Sequence, residues 1–204
     1  MKNKRLVSNI LVFGFLTLAA LFTLFPLIMA LVNSFKTNGE LLSNVMSLPT
    51  ELHTENYTRT LDKMHYLRSL GNTVLLAGLS VTMMIVFSAL AGWKLCRTKS
   101  RLSSFLFGLF VFSMLIPFSS IMIPLYKVTL ALNIKNSLVG LSFVYAGLGV
   151  SMAIFLYHGF VKGLPVDLEE SAAIDGCSNL QIFFHIVFPQ LKPITATICI
   201  TNVL

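Results

Sequence analysis

Long uncharged apolar runs alternate along this chain with short polar segments. A helix rises about 1.5 Å per residue, so crossing about 30 Å of hydrocarbon takes about 20 predominantly apolar residues. Four runs reach that length, from about Leu6 to Val32, Thr73 to Trp93, Leu102 to Tyr126 and Ser137 to Tyr157. Each predicts a membrane-spanning helix. A fifth apolar run starts at Pro193 and meets the end of the sequence at Leu204, 12 residues in. A helix ending at mid-bilayer would leave carbonyls unpaired in lipid, so the sequence reads as a fragment or a truncated product. The first run is too long for the apolar core of a signal peptide and has no small-residue cleavage step before Phe35, so it reads as a retained span.

Composition agrees with that pattern. Of 204 residues, 55% are hydrophobic and only 11% charged, whereas soluble domains carry about a quarter of their residues as charges. The net charge of +7 is concentrated at the ends of apolar runs, which is a topological signal rather than a nucleic-acid footprint. Lys2, Lys4 and Arg5 precede the first run, and Lys94, Arg97, Lys99 and Arg101 crowd the turn between the second and third. Both clusters belong in the cytoplasm by the excess of Lys and Arg on that side. The N-terminus is therefore expected inside. The segment from Asn33 to Gly71, where four basic and four acidic residues balance, is expected outside. Lys127 and Lys135 lie on the other outer loop and run against this scheme. Cys96, Cys177 and Cys199 form neither a C-x-x-C pair nor an even-numbered framework, and no metal set is expected.

The polar segment Gly163-Leu-Pro-Val-Asp-Leu-Glu-Glu-Ser-Ala-Ala-Ile-Asp-Gly176 returns to the cytoplasm by parity of the spans. Pro165 suits a first helical position, Asp167, Glu169 and Glu170 complement the positive end of a helix dipole, and Gly176 is a stop. These signals predict a helix of about ten residues. Ser178 with Gln181 predicts a capping box and a second helix that ends before Pro189. Small side chains at Ser171, Ala172 and Ala173 would let another backbone approach, with Leu168 and Ile174 as apolar anchors. On spacing alone the segment reads equally as a docking surface or as a solvated, capped linker.

Glu170-Ser171-Ala172, Asp175-Gly176 and the apolar stretch reaching Pro189 and Pro193 resemble the E-A-A…G loop of the permease subunits of bacterial ABC importers. The form L-P-x-x-L-E-E-A-A-x-I-D-G-x-S is similar to the carbohydrate-uptake branch, which includes the second maltose permease subunit. Ser34-Phe35-Lys36, Leu48-Pro49, Glu55-Asn56-Tyr57, Asn72-Thr73 and Ile123-Pro124-Leu125-Tyr126 extend the resemblance over most of the chain. Ala91-Gly92-Trp93-Lys94-Leu95-Cys96-Arg97 departs from the family's A-A-Y-A-x-A-R type segment.

The resemblance implies an all-α membrane protein, a polytopic bundle of the type I ABC importer permease fold, with four complete spans and a truncated fifth. It implies a short cytoplasmic tail over residues 1–5 and a transmembrane domain over 6–204, whose core is about 73–204, with a cytoplasmic coupling loop at 159–192. It implies a transport subunit rather than an enzyme, placed in a bacterial cell membrane as part of the path for a sugar or oligosaccharide. The partners implied are a dimeric ATP-binding subunit, a second permease subunit and an extracytoplasmic solute-binding protein. ATP and Mg would sit on the ATPase, since this sequence contains no G-x-x-x-x-G-K-[ST] phosphate loop. The coupling residues implied are Glu169, Glu170, Ser171, Ala172, Ala173, Asp175 and Gly176, with Glu170 as the polar contact, Ser171 and Ala172 as the close-packed face, and Pro165, Pro189 and Pro193 shaping the loop. The alternatives are a permease of the same type for an amino acid or phosphate, or a truncated non-functional remnant. A membrane enzyme would need an embedded nucleophile with its base, and none stands out in the spans.

Within the spans, Pro117 and Pro124 remove two backbone donors, and with Ser119 and Ser120 they mark either a pathway-lining distortion or an ordinary packing kink. Ser88 with Gly92 and Gly147 with Ser151 are small-x-x-x-small pairs suited to close helix contact. Only His158 brings an ionisable group into a span, near its cytoplasmic end, so a neutral solute is expected.

Overall fold

The computed structural model describes residues 2–203, with side chains from Asn9 to Val203. Met1, Leu204 and the side chains of Lys2, Lys4 and Arg5, on which the expected tail rests, lie outside the described residues. The described residues are helical and form two compact units, residues 1–69 and 70–204.

In the first unit, α1 (Lys2–Ser34) leads through a short turn to α2 (Asn38–Ser43) and α3 (Glu55–Lys63). Thr37 and Glu40 form a reciprocal capping box at the start of α2. The Glu40 carboxylate also accepts from the backbone and hydroxyl of Thr50, so it clasps the extended segment that follows. Lys36 is buried, and its ammonium donates to the carbonyls of Asn44 and Val45, at 3.1 and 3.2 Å, just past the end of α2. Asn56 straps the same turn by donating to the carbonyls of Ser34 and Lys36, and the Tyr57 ring lies 5.4 Å from that of Phe35. These residues are the Ser-Phe-Lys and Glu-Asn-Tyr landmarks of the sequence, and their shared task here is to fold one loop onto itself.

The second unit holds most of α4 (Tyr66–Arg97), then α5 (Arg101–Ser113), α6 (Phe118–Ala131), α7 (Leu138–Lys162), α8 (Asp167–Ile174), α9 (Asn179–Ile182), a π-helical turn (Phe183–Val187), α10 (Phe188–Gln190) and α11 (Lys192–Val203). Serines start three of these helices: the hydroxyls of Ser100, Ser137 and Ser178 accept from the N–H three residues on. The core joins α4, α7, the segment after α8 and α11 through Met84, Ala89, Trp93, Ala153, Tyr157, Phe183, Leu191 and Ile198. The Tyr157 hydroxyl, which would be costly to leave unpaired there, shares a 2.8 Å hydrogen bond with Thr195.

Among the described residues, α1 from Asn9, α4 and α7 are each long and apolar enough to cross a membrane. The third expected span is not one helix. It breaks into α5 and α6 with a 102° bend, because Pro117 takes an extended ψ of 143° and closes α5 behind it. Pro124 lies within α6, so the two prolines do not share one helix. The helix after Ser178 likewise does not end before Pro189. The π turn lets Phe188 donate to Phe183, five residues back, and the chain then carries the proline through to Gln190 before bending 73° into α11. A widened turn loosens the ladder just where Pro189 has no N–H to give.

Gly92 brings α4 and α7 together. A Cβ there would lie 2.7 Å from Tyr157 Cβ and 3.0 Å from the His158 nitrogen, whereas at Gly78 on the same helix it would meet nothing within 4 Å. Ser88, one turn earlier, is fully buried and donates to the Val150 carbonyl at 3.4 Å. Of the second small-x-x-x-small pair, Ser151 bonds Ser113 but Gly147 faces open space within the chain.

Gly92→Ala is expected to destabilise the protein by about 1–3 kcal/mol through overpacking. Gly78→Ala is expected to be neutral or stabilising, by up to about 1 kcal/mol; thermal unfolding in detergent micelles reads both. In the first unit, the hydroxyl of Thr50 and the backbone N–H groups of Thr37 and Thr50 hold the Glu40 carboxyl down to about 2 from an ordinary 4.5. Such a group stabilises the fold fully above its unfolded value, and the contribution disappears as pH falls through the folded one. Protection of the Thr37–Thr50 backbone from hydrogen exchange, corrected for intrinsic rates, is therefore expected to be constant above pH 5 and to decline between about 4.5 and 2. Glu40→Gln should remove that decline.

Candidate functional site

The loop between α7 and α11 is built around α8. Its stop is a Schellman motif: Gly176 takes φ +84°, Cys177 N–H donates to Ala172 and Gly176 N–H to Ala173. The left-handed residue is where only glycine avoids strain, and it aims the chain directly into the Ser178–Gln181 capping box that starts α9. Pro165 is not the first helical residue, since α8 begins at Asp167. The Leu164 carbonyl that a helix starting at Pro165 would use is taken instead by the Arg97 guanidinium, at 3.1 Å.

Helical spacing divides α8 into faces. Glu169 and Ala172, three residues apart, point inward. Ala172 is buried in the protein's own core, which corrects its expected place on an outward close-packed face. Leu168, Glu170, Ser171, Ala173, Ile174 and Asp175 are exposed, Ile174 to 86%. The outward face therefore carries small and apolar side chains edged by carboxylates.

Glu169 makes the loop's strongest polar contact. One carboxylate oxygen accepts from the Trp93 indole N–H at 2.9 Å, and the other from Arg97 Nε and Nη2 at 3.0 and 2.7 Å. The ion pair is largely enclosed, with side-chain exposures of 18% and 12%. Charge-assisted bonds of this kind are worth about 1.5–3 kcal/mol each. Phe183, the first residue of the π turn, packs its ring 5.4 Å from Trp93. Sequence reading placed the polar role on Glu170 and treated the Gly92-Trp93…Arg97 segment as a departure. The structure brings together Glu169, Trp93 and Arg97, and the only sequence signal for it is an aromatic and an arginine four apart at the end of an apolar run.

A second polar feature sits at the α5–α6 break. Ser113 and Ser151 share a 2.7 Å hydrogen bond across α5 and α7, beside a cavity of about 410 Å³ whose lining includes Met114, Phe118, Gly147 and Met152. Thirteen residues of α5 rise about 20 Å, which puts the break at membrane depth if Arg101 marks the cytoplasmic surface. Pro117 forms the break, Ser119 and Ser120 are exposed in the first turn of α6, and Pro124 lies two turns on. His158 stacks on Phe107 at 3.8 Å between ring centroids, which gives it a packing role. Among the described residues no group of His, Cys, Asp and Glu is arranged to hold a metal.

Residues 84–204 match the family described as binding-protein-dependent transport system inner membrane component. The chain belongs to that family. It is a multi-pass membrane protein, and the family is one of transport components rather than enzymes. Similar proteins include the probable starch degradation products transport system permease protein AmyC of Thermoanaerobacterium thermosulfurigenes, 37% identical over 88% of this chain and 65% of its own length. The melibiose/raffinose/stachyose import permease protein MelC of Bacillus subtilis is 34% identical over 87% of this chain and 64% of its own. The multiple sugar-binding transport system permease protein MsmG of Streptococcus mutans is 29% identical over the whole chain and 74% of its own. This chain thus spans just under two thirds of the length of the first two. The fold matches a bacterial ABC transporter involved in the import of the acidic polysaccharide alginate, with TM-score 0.82 and 23% identity over 97% of this chain and 69% of that one.

Glu169→Gln is expected to cost about 1–3 kcal/mol, because it leaves the enclosed Arg97 guanidinium without its counter-charge. Glu170→Gln, on the exposed side, should stay within about 0.5 kcal/mol. Thermal unfolding of the two variants in the same detergent separates them.

Proposed function

We propose that this chain is a permease subunit of an ATP-driven importer, forms part of the membrane path for a sugar or oligosaccharide, and takes its energy from a separate ATPase through α8. The observation that carries the coupling is the two-sided character of α8: its inner face is bound into the protein at Glu169 and Ala172, and its outer face presents Leu168, Ser171 and Ile174 with Glu170 beside them. An amphipathic helix with small side chains on its free face suits a groove on a partner. The N-terminus, the α4–α5 turn with Arg97, Lys99 and Arg101, and α8 lie in the cytoplasm by the distribution of basic residues. ATP and Mg belong to the partner ATPase, and a second permease and a solute-binding protein complete the assembly.

Support for a sugar comes from the relatives, whose names speak of starch degradation products, of melibiose, raffinose and stachyose, and of multiple sugars. The α5–α6 break supports it physically. Irregular backbone at membrane depth is tolerated where protein buries it or where it lines a water-filled cavity. Here it adjoins serine hydroxyls, thioethers and an aromatic ring, with no charged side chain in the cavity lining. Such a surface suits a neutral, hydroxyl-rich solute better than an acidic polysaccharide or an amino acid zwitterion.

Cells carrying the complete transporter are expected to accumulate labelled raffinose or maltodextrin and not labelled histidine, and to lose that uptake when this gene is deleted; uptake of histidine instead would overturn the sugar reading. Gly176→Leu, which forces a bulky side chain into the left-handed position, is expected to abolish uptake while the ATPase continues to hydrolyse ATP. Native uptake by that variant would contradict coupling through α8.

A further inference from the structure

Docking of α8 on an ATPase does not by itself say which membrane helix receives the motion. The chain connects α8 covalently to α7, through the four residues Gly163–Val166. The strongest side-chain contacts of the loop run elsewhere. The last turn of α4 grips it at three separated points: Arg97 holds the Leu164 carbonyl ahead of α8, Arg97 and Trp93 together hold the Glu169 carboxylate within α8, and the Trp93 ring rests on Phe183 beyond α9. Two donors on one carboxylate oxygen and a third on the other fix angle as well as distance, which a single contact would not. The enclosure of the pair also shields it from ionic screening. All of these contacts lie on the inner side of α8, so occupation of the outer face leaves them in place.

We propose that Trp93, Arg97 and Glu169 are positioning residues that lock α8 to the end of α4, so that nucleotide-driven displacement of α8 is delivered to α4 as a rigid lever. The proposal rests on the reading of α8 as the docking helix. The Gly92 contact and the Ser88 hydrogen bond then carry the motion from α4 into α7. The clamp touches neither solute nor nucleotide, and its effect is on coupling alone.

The test uses the assembled transporter in proteoliposomes, with Cys96, Cys177 and Cys199 replaced by Ser. Spin labels at exposed Thr82 of α4 and Ala173 of α8 report their separation by pulsed EPR, without nucleotide and with ATP plus vanadate. The native clamp should give one separation in both states. Arg97→Glu and Glu169→Arg should each give a separation that shifts or broadens on nucleotide binding, and the double exchange should restore a single one. A separation that changes in the protein with the native clamp, or a double exchange no better than the singles, overturns the proposal. Where the charge reversals do not assemble, Trp93→Phe removes one N–H while keeping the ring on Phe183, and a native response from it also overturns the proposal. A cysteine at Ser171, crosslinked to the ATPase in the same background, keeps the two readings apart: a crosslink with an intact lever supports both. A crosslink with a slipping one sinks the clamp and leaves docking standing, and no crosslink to the ATPase in the protein with the native clamp sinks docking and the clamp with it.

Discussion

One carboxylate organises the cytoplasmic end of this protein. Glu169 accepts from an indole and a guanidinium on the last turn of α4, and the same guanidinium takes the carbonyl that precedes α8. Remove that charge and α8 keeps its caps but loses what fixes its direction. The enclosure of the pair is what makes it effective. An exposed ion pair contributes little, whereas one shielded by Phe183, Ala172 and the α4 backbone cannot exchange its partners for water without opening the core around it.

Around that anchor the loop is assembled from local devices in series. A Schellman stop at Gly176 passes the chain to a capping box at Ser178, and the helix so started reaches α11 through a widened turn and a proline. Each device satisfies backbone groups that a short helix would otherwise leave unpaired. The loop can therefore stand at the membrane surface as a set of short rigid pieces, a shape suited to passing on force. The α5–α6 break solves the opposite problem inside the apolar region, where Ser113 and Ser151 satisfy one another across two helices.

Features set by neighbours in sequence were legible. The apolar runs gave the helices to within a few residues, because composition alone decides which segments suit hydrocarbon. The Ser178–Gln181 box and the Gly176 stop were equally readable, since both close within four residues. What failed required knowledge of packing. Glu169 and Glu170 are adjacent acids with the same local credentials, and only the rotation of α8 against α4 turns one inward. Ala172 belonged to a stretch of small residues in which spacing could not say which member faces the core. Pro117 was recognised as a distortion, but the size of the bend depends on how α6 settles afterwards. The π turn left no mark in the residue pattern, so Pro189 read as an end where the helix in fact continues.

That widened turn has a consequence for how the gene can change. A π turn accommodates one residue more than an α-helix needs for the same path, so the faces before and after it are set independently. Loss of any single residue between Phe183 and Val187 would let the segment close into a regular helix and rotate everything downstream by about 100°. Ile198 would leave the core, and Thr195 would part from Tyr157. Substitutions here can be absorbed by local repacking, whereas a one-codon deletion would re-phase the whole final helix.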